Sequence, residues 1–210
     1  MALTIGATAV DAWALTPADA SANSVREGAV MTLSDSYASV VHVDFALGDT
    51  EAHTGTKCIL QVSSAAADDE FWSTYTEWIS GIGTANTEVV LNNPLAAAAT
   101  AIEVASLTGF TVATGGSLLA FLLDNTAANS EIVRIVTTSV EGGNDLINIM
   151  EGVKREHAVT TSVLSNIVET RAIYIPIGFM RARMIYDNLY DVDGAGIYTR
   201  TRVVETTALS

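Results

Sequence analysis

The chain has 210 residues, 49% of them hydrophobic and 16% charged, and its ten basic side chains against 24 acidic ones give a formal net charge of -14. So much apolar sequence with so few charges excludes a disordered chain, and the length suffices for one large or two small packed domains. The acid surplus argues against a whole surface given to nucleic acid, and the lone cysteine, Cys58, leaves no intrachain disulfide and no cysteine-built metal site.

The opening stretch, Met1 to Trp13, has neither the basic nor the long apolar region of a secretory signal. Ala, Thr and Ser dominate Ala14 to Ser24 without a clear period, which suggests an N-terminal arm. From Ser39 to Leu47 the chain alternates with period two, the mark of a half-buried strand. Ser39, Val41, Val43, Phe45 and Leu47 share one face; Val40, His42, Asp44 and Ala46 share the other. Lys57 to Val62 alternates likewise, with Cys58, Leu60 and Val62 together. Turn residues lie between, so the two form a strand–loop–strand pair.

Over 68–81 the signals divide. Phe71, Tyr75, Trp78 and Ile79 fall at i, i+4, i+7 and i+8, with Asp68 or Asp69 placed to cap and Gly81 to terminate. This spacing predicts a short helix or irregular segment, while Trp and Tyr favour the alternative of a strand. In either case the aromatics are expected as core anchors. Asn92-Asn93-Pro94 breaks the chain, and an alanine run follows. Short strands are then expected at Ala101 to Ala105, Ser117 to Leu123, Glu131 to Thr138 and Asp145 to Met150, the spacing of a small antiparallel barrel or sandwich. The apolar run Leu118 to Leu123 is too short to span a bilayer. Along Glu131 to Val136 one side must be largely buried, which puts Arg134 at an edge or in a pair. From Ile167 the strands lengthen: Arg171 to Ile177, then Phe179 to Tyr186 and Ala195 to Glu205 as a hairpin around Asp187 to Gly194.

These elements predict an all-β chain. An antiparallel β-sandwich is built from residues 1–93 plus 167–210, with a small β-barrel or sandwich domain, residues 94–166, inserted between them.

No catalytic constellation stands out, and no cofactor or metal site is expected. His42, His53 and His157 show no metal-ligand spacing and read as solvated or core histidines. Gly81-Ile82-Gly83 lacks the third glycine of a nucleotide-binding loop. Asp187, Asp191 and Asp193 break the register of a calcium loop and fit an acidic turn. The sharper feature is cationic. Four of the ten basic residues, Arg181, Arg183, Arg200 and Arg202, fall in the last two strands, pairwise on common faces. They are candidates for docking an acidic partner, such as another copy of this chain, since the planar guanidinium pairs carboxylates bidentately. The alternative is a solvated face neutralised by the chain's own acids.

Across Thr100 to Leu164 the chain resembles a small β-module of tail and other virion proteins of tailed bacteriophages. The residues that carry the resemblance are Ala101-Ile102-Glu103-Val104, Thr108-Gly109-Phe110, Leu118 to Leu123, Glu131-Ile132-Val133-Arg134, Glu151-Gly152-Val153 and His157-Ala158. The chain departs from that pattern at Glu151, where an Arg is usual, and at Lys154-Arg155-Glu156, where Asp-Gly-Thr is usual. More loosely, Leu60 to Ser64 followed by Trp72, and Arg181 to Asn188 followed by a final strand, are similar to phage virion β-sandwiches. The resemblance implies a non-enzymatic virion component, with capsid decoration (cement) as the first expectation and a head–tail connector, neck or tail role as the second. Its partners would be other virion proteins, the major capsid protein or neck and tail proteins, and further copies of itself in a homo-oligomer, with no nucleic acid or membrane. A carbohydrate-binding β-sandwich is the alternative of another class, with Trp72, Tyr75 and Trp78 as its platform.

Overall fold

The computed structural model describes residues 3–9, 14–15, 25–33, 38–48, 55–67, 71–81, 87–165, 168–189 and 197–209. The protein is all-β, and every strand pairing among these residues is antiparallel. In chain order the strands are β1 (Leu3–Ala9), β2 (Ala14–Leu15), β3 (Val25–Glu27), β4 (Met31–Thr32), β5 (Ala38–Leu47), β6 (Thr56–Ser63), β7 (Ser73–Ser80), β8 (Thr87–Val90), β9 (Ala101–Val104), β10 (Leu118–Leu123), β11 (Glu131–Glu141), β12 (Asn144–Ile149), β13 (Ser162–Ser165), β14 (Val168–Pro176), β15 (Arg181–Asn188) and β16 (Ile197–Leu209). A 3-10 turn, Ala127–Asn129, lies between β10 and β11.

Two sheets face each other as a sandwich. The first runs β1-β16-β5-β14, with β2 also on β16; the second runs β3-β15-β6-β7, with β4 also on β15. Alternation explains the packing. Val41, Val43, Phe45 and Leu47 of β5 meet Cys58, Leu60 and Val62 of β6 and Ala182, Met184 and Tyr186 of β15 in one buried cluster. Each large aliphatic or aromatic side chain buried there contributes about 1.5–3 kcal/mol.

The strands from β8 to β13 form a third sheet, ordered β8-β13-β10-β11-β12-β9. It curls until its edges meet. Leu91 bridges Val104, and backbone N–H groups of Asn92 and Ala105 donate to Glu103 and Val90 carbonyls at 2.9 and 3.2 Å. Closure removes exposed edges and encloses a core that includes Ile102, Leu122, Val133, Ile135, Ile147 and Val163. This sheet begins at Thr87, ahead of the Asn92-Asn93-Pro94 break.

The barrel rests on the outer face of the first sheet. Phe121 and Leu164 pack with Ala46, and Leu123, Ile132, Val168 and Tyr198 surround them. The Phe121 and Tyr198 rings lie 5.3 Å apart. As a result the end of β5 is buried on both faces: Phe45 and Leu47 point into the sandwich, and Ala46 into the junction.

Four expectations are corrected. The segment over 68–81 carries strand β7, not a helix. Phe71, Tyr75 and Ile79, read as a helical face, are exposed. Thr76, Trp78 and Ser80 turn inward with period two instead, in a stretch of β-branched and aromatic residues that pairs with β6. Of the expected core anchors, Trp78 packs against the sandwich core, whereas Phe71 is 62% exposed. The last two strands are not a hairpin: β15 pairs with β3, β4 and β6, and β16 with β1, β2 and β5. Each buries one face in the same core, so the two strands oppose each other across it, with the Tyr186 and Thr201 hydroxyls 3.0 Å apart. For the same reason β5 and β6 face each other instead of pairing side by side. Of the expected N-terminal arm, β1 and β2 pair with β16, and the remainder of residues 1–24 lies outside the described residues.

Candidate interaction surfaces

The four arginines occupy two sheets and have different surroundings. Arg181 and Arg183 alternate with the core residues of β15 and so lie on the outer face of the second sheet. Their guanidiniums stack over the Trp72 ring, 4.9 and 4.4 Å from its centre, a contact worth about 0.5–2 kcal/mol each. Arg181 is buried and donates through Nε to the Ala65 carbonyl at 2.8 Å. Arg183 donates Nε to Gln61 at 2.9 Å and Nη1 to Glu27 at 3.1 Å. The segments that carry Gln61, Ala65 and Trp72 and that carry Arg181 and Arg183 therefore hold each other through these side chains. Arg200 and Arg202 lie on the outer face of the first sheet. Both reach Asp44, which is only 2% exposed; Arg200 donates Nε and Nη2 to its Oδ2 at 2.9 and 2.6 Å, and Arg202 lies 3.5 Å away.

The proposed sugar platform is dispersed. Trp72 carries the two guanidiniums, and Trp78 carries that of Arg171 at 5.1 Å. Tyr75 donates its hydroxyl to the Tyr174 carbonyl at 3.0 Å and sets its ring edge-on to Phe179 at 5.9 Å. Tyr75 and Trp78, unlike Trp72, sit where edge strands β7 and β14 approach each other. There a groove of about 750 Å³ is lined by Tyr75, Trp78, Arg171 and Tyr174 among others. Glu169 of β14 ties to the end of β7, accepting from the Ser80 hydroxyl at 3.0 Å and the Gly81 N–H at 3.2 Å.

In the barrel, the motif residues converge on a buried polar centre. Glu131 points inward with Val133 and Ile135, and Arg134 outward, toward Ser117. Glu131 accepts the Lys154 N–H at 3.0 Å and the Arg155 N–H at 3.2 Å, and its Oε1 lies 3.0 Å from His157 Nε2. On the other side of the imidazole, Nδ1 lies 3.3 Å from Asp124 Oδ2, without the alignment of a hydrogen bond. Asp124 also accepts from the Thr126 N–H at 2.8 Å and the Thr161 hydroxyl at 3.2 Å. Burial alone would raise both carboxyls, but these donors and His157 outweigh it and hold both below their ordinary values. The irregular stretch after β12 needs acceptors for its backbone N–H groups, and Glu131 supplies them. Gly152 has a steric role: a Cβ there would meet the Ala98 carbonyl oxygen at 2.5 Å. Gly109 adopts a positive φ of 84° and turns Phe110 into the core.

His157 is thus a core histidine, as expected, and His42 is half-buried on β5. His53, Asp68, Asp69, Glu70, Ile82, Gly83, Asp191 and Asp193 lie outside the described residues, so the calcium and glycine-loop readings fall there. Among the described residues no group of three or more His, Cys, Asp or Glu side chains is placed to hold a metal ion. Sequence reading missed Asp44, Glu27 and Gln61 as partners of the arginines, and Glu131 and Asp124 as partners of His157. The one available signal was an acid at an inward-alternating position, Glu131 beside Val133 and Ile135. No family model matches the chain, and no curated protein matches it either.

Proposed function

We propose that the chain is a non-enzymatic structural protein of a tailed phage particle, and specifically a capsid decoration protein bound to the capsid lattice. The observation that carries the reading is the contact between Glu131 and His157. These residues come from separate segments of the phage-module pattern, Glu-Ile-Val-Arg and His-Ala, and they meet inside one closed barrel. Gly152-Val153 and Gly109-Phe110 of the same pattern have their own places there, Val153 and Phe110 in the core and Gly152 against Ala98. The pattern residues therefore account for the barrel's construction, and the groups that titrate in it are spent on holding backbone. Decoration suits an all-β chain that joins a sandwich to a barrel through a buried junction. Function then comes from surface area and repetition.

The test is gold labelling, with an antibody to this chain, of tailed particles purified from the culture that makes it. Label over the capsid shell is expected. Label at the neck or along the tail would move the protein there. Particles without label would overturn the virion reading. The carbohydrate alternative predicts a shift in tryptophan emission on adding soluble oligosaccharides; with Arg side chains over both the Trp72 and Trp78 rings, no shift is expected.

A further inference from the structure

Two charged groups, one on each unit, have no close counter-charge among the described residues. Arg200 and Arg202 converge on a single oxygen of Asp44, and Arg200 holds the shorter contact. Arg202 reaches it only at 3.5 Å, its side chain is 40% exposed, and its Nε–H is buried without an acceptor. Arg202 thus holds the longer contact, and a donor withheld from water without an acceptor costs about 1–3 kcal/mol. The residue opposite Arg202 on β5 is His42, which supplies no carboxylate. On the barrel, the β11–β12 hairpin turns at Gly142-Gly143, both with positive φ, and Cβ atoms built there would meet nothing within 4 Å. The turn projects. Beside it stand Val140, 66% exposed, and Glu141, also exposed. The Glu141 carboxylate has one contact among the described residues, the Ser139 hydroxyl of its own strand at 3.2 Å.

We propose that these are the two halves of one contact between copies of this chain: the Val140–Glu141 tip of one copy docks on the Arg200–Arg202 face of the next, with the Glu141 carboxylate on the Arg202 guanidinium. The proposal rests on the reading of the chain as an assembly subunit. A second copy is the occupant because the chain carries both complementary charges, the projecting acid on the barrel and the partly exposed Arg202 guanidinium on the sandwich. Arg181 and Arg183 take no part, because Trp72, Ala65, Gln61 and Glu27 already hold them. The contact uses a different patch on each copy. It therefore builds a ring where the rotation closes and a filament where it does not.

A charge swap tests it, read by light scattering of the full chain on a sizing column over a range of concentration and salt. The wild type associates, and salt weakens it. Arg202→Glu and Glu141→Arg each weaken association about tenfold or more, and the two together restore it. Circular dichroism and thermal melting check that each variant folds. Should Arg202→Glu disturb Asp44 and fail to fold, Arg202→Gln removes the charge without repulsion and must weaken association alone. Wild-type assembly by a folded single variant, failure of the folded double variant to recover, or a wild type that stays monomeric at its highest soluble concentration would each overturn the proposal. Gold labelling reads the virion assignment separately. A monomer found on capsids sinks the self-contact alone, and a swap-sensitive oligomer absent from particles sinks the virion reading alone.

Discussion

The sandwich and the barrel bury polar groups in opposite ways. Between the sandwich sheets the centre is Val41, Val43, Phe45, Leu60, Met184 and Tyr186, with a hydroxyl pair, Tyr186 and Thr201, as its polar contact. Its ion pairs stand on outer faces: Arg200 on Asp44, Arg183 on Glu27 and Lys57 on Glu77. The barrel places His157 between two carboxylates, all three side chains buried. The difference follows from backbone accounting. Most sandwich strands satisfy each other in ladders, whereas the barrel is closed at one end by an irregular stretch after β12. Its Lys154 and Arg155 N–H groups find the Glu131 carboxylate, and its His157 N–H finds the Leu95 carbonyl. The sandwich depends on packing, and the barrel additionally on charge.

His157→Ala breaks that comparison most sharply. It leaves Asp124 and Glu131 buried without the group between them, and removing one partner from a buried charged cluster costs about 3–5 kcal/mol. Amide hydrogen exchange is the readout. Protection is expected to fall in β10 to β13 while β5, β6 and β15 retain theirs. Unchanged protection in the barrel would show that His157 fills space and no more. An equal loss in both units would show that the junction of Phe121, Leu164 and Ala46 makes them a single cooperative unit.

Acid gives a smaller effect of the same kind. In the folded barrel Asp124 and Glu131 sit below their ordinary values of 3.8 and 4.5. A carboxyl lowered by folding contributes stability that is complete above its ordinary value and is lost as pH falls through the lowered one. Thermal melting should therefore hold steady from neutral pH to about pH 5, and the barrel should weaken below about pH 4.5. A Glu131→Gln variant should lose part of this dependence. If it keeps the wild-type profile, the acid sensitivity lies elsewhere.

What could be read beforehand divides along physical lines. β5, β6 and β9 to β12 were legible because half-buried strands alternate, and the face with Val41, Val43 and Phe45 and the face with Cys58, Leu60 and Val62 are buried between the sheets. Thr87–Val90 and Ser162–Ser165 passed unnoticed because each sets two apolar residues side by side, Val89-Val90 and Val163-Leu164, and so does not alternate. Alternation states which face is buried but not which strand lies alongside, so β15 with β16 and β5 with β6 were joined as neighbours when they are opposed across the core. Over β7 the chance spacing of Phe71, Tyr75 and Ile79 imitated a helical stripe, although all three face solvent. The arginine cluster was visible as charge. Its neutralisers were not, because Glu27 and Asp44 lie far away in sequence and only the sheet register brings them together.

The finest probe of the comparison is Cys58, the sandwich's own reporter. Burial pushes its thiol up to about 12, and Glu169 adds to this, while Ser80 and Arg171 oppose it. Its side chain is fully enclosed between the sheets. A thiol reagent at pH 8 meets neither an accessible sulfur nor a thiolate, so labelling must wait for the sandwich to open. Its rate then measures sandwich opening alone. In His157→Ala that rate is expected to stay at the wild-type value even as the barrel loses protection, because nothing between the sheets has changed. An accelerated rate would mean that the barrel, seated on Ala46 and Tyr198 at the end of β5, keeps the sandwich closed from outside. The charge centre of one unit would then help set the packing stability of the other.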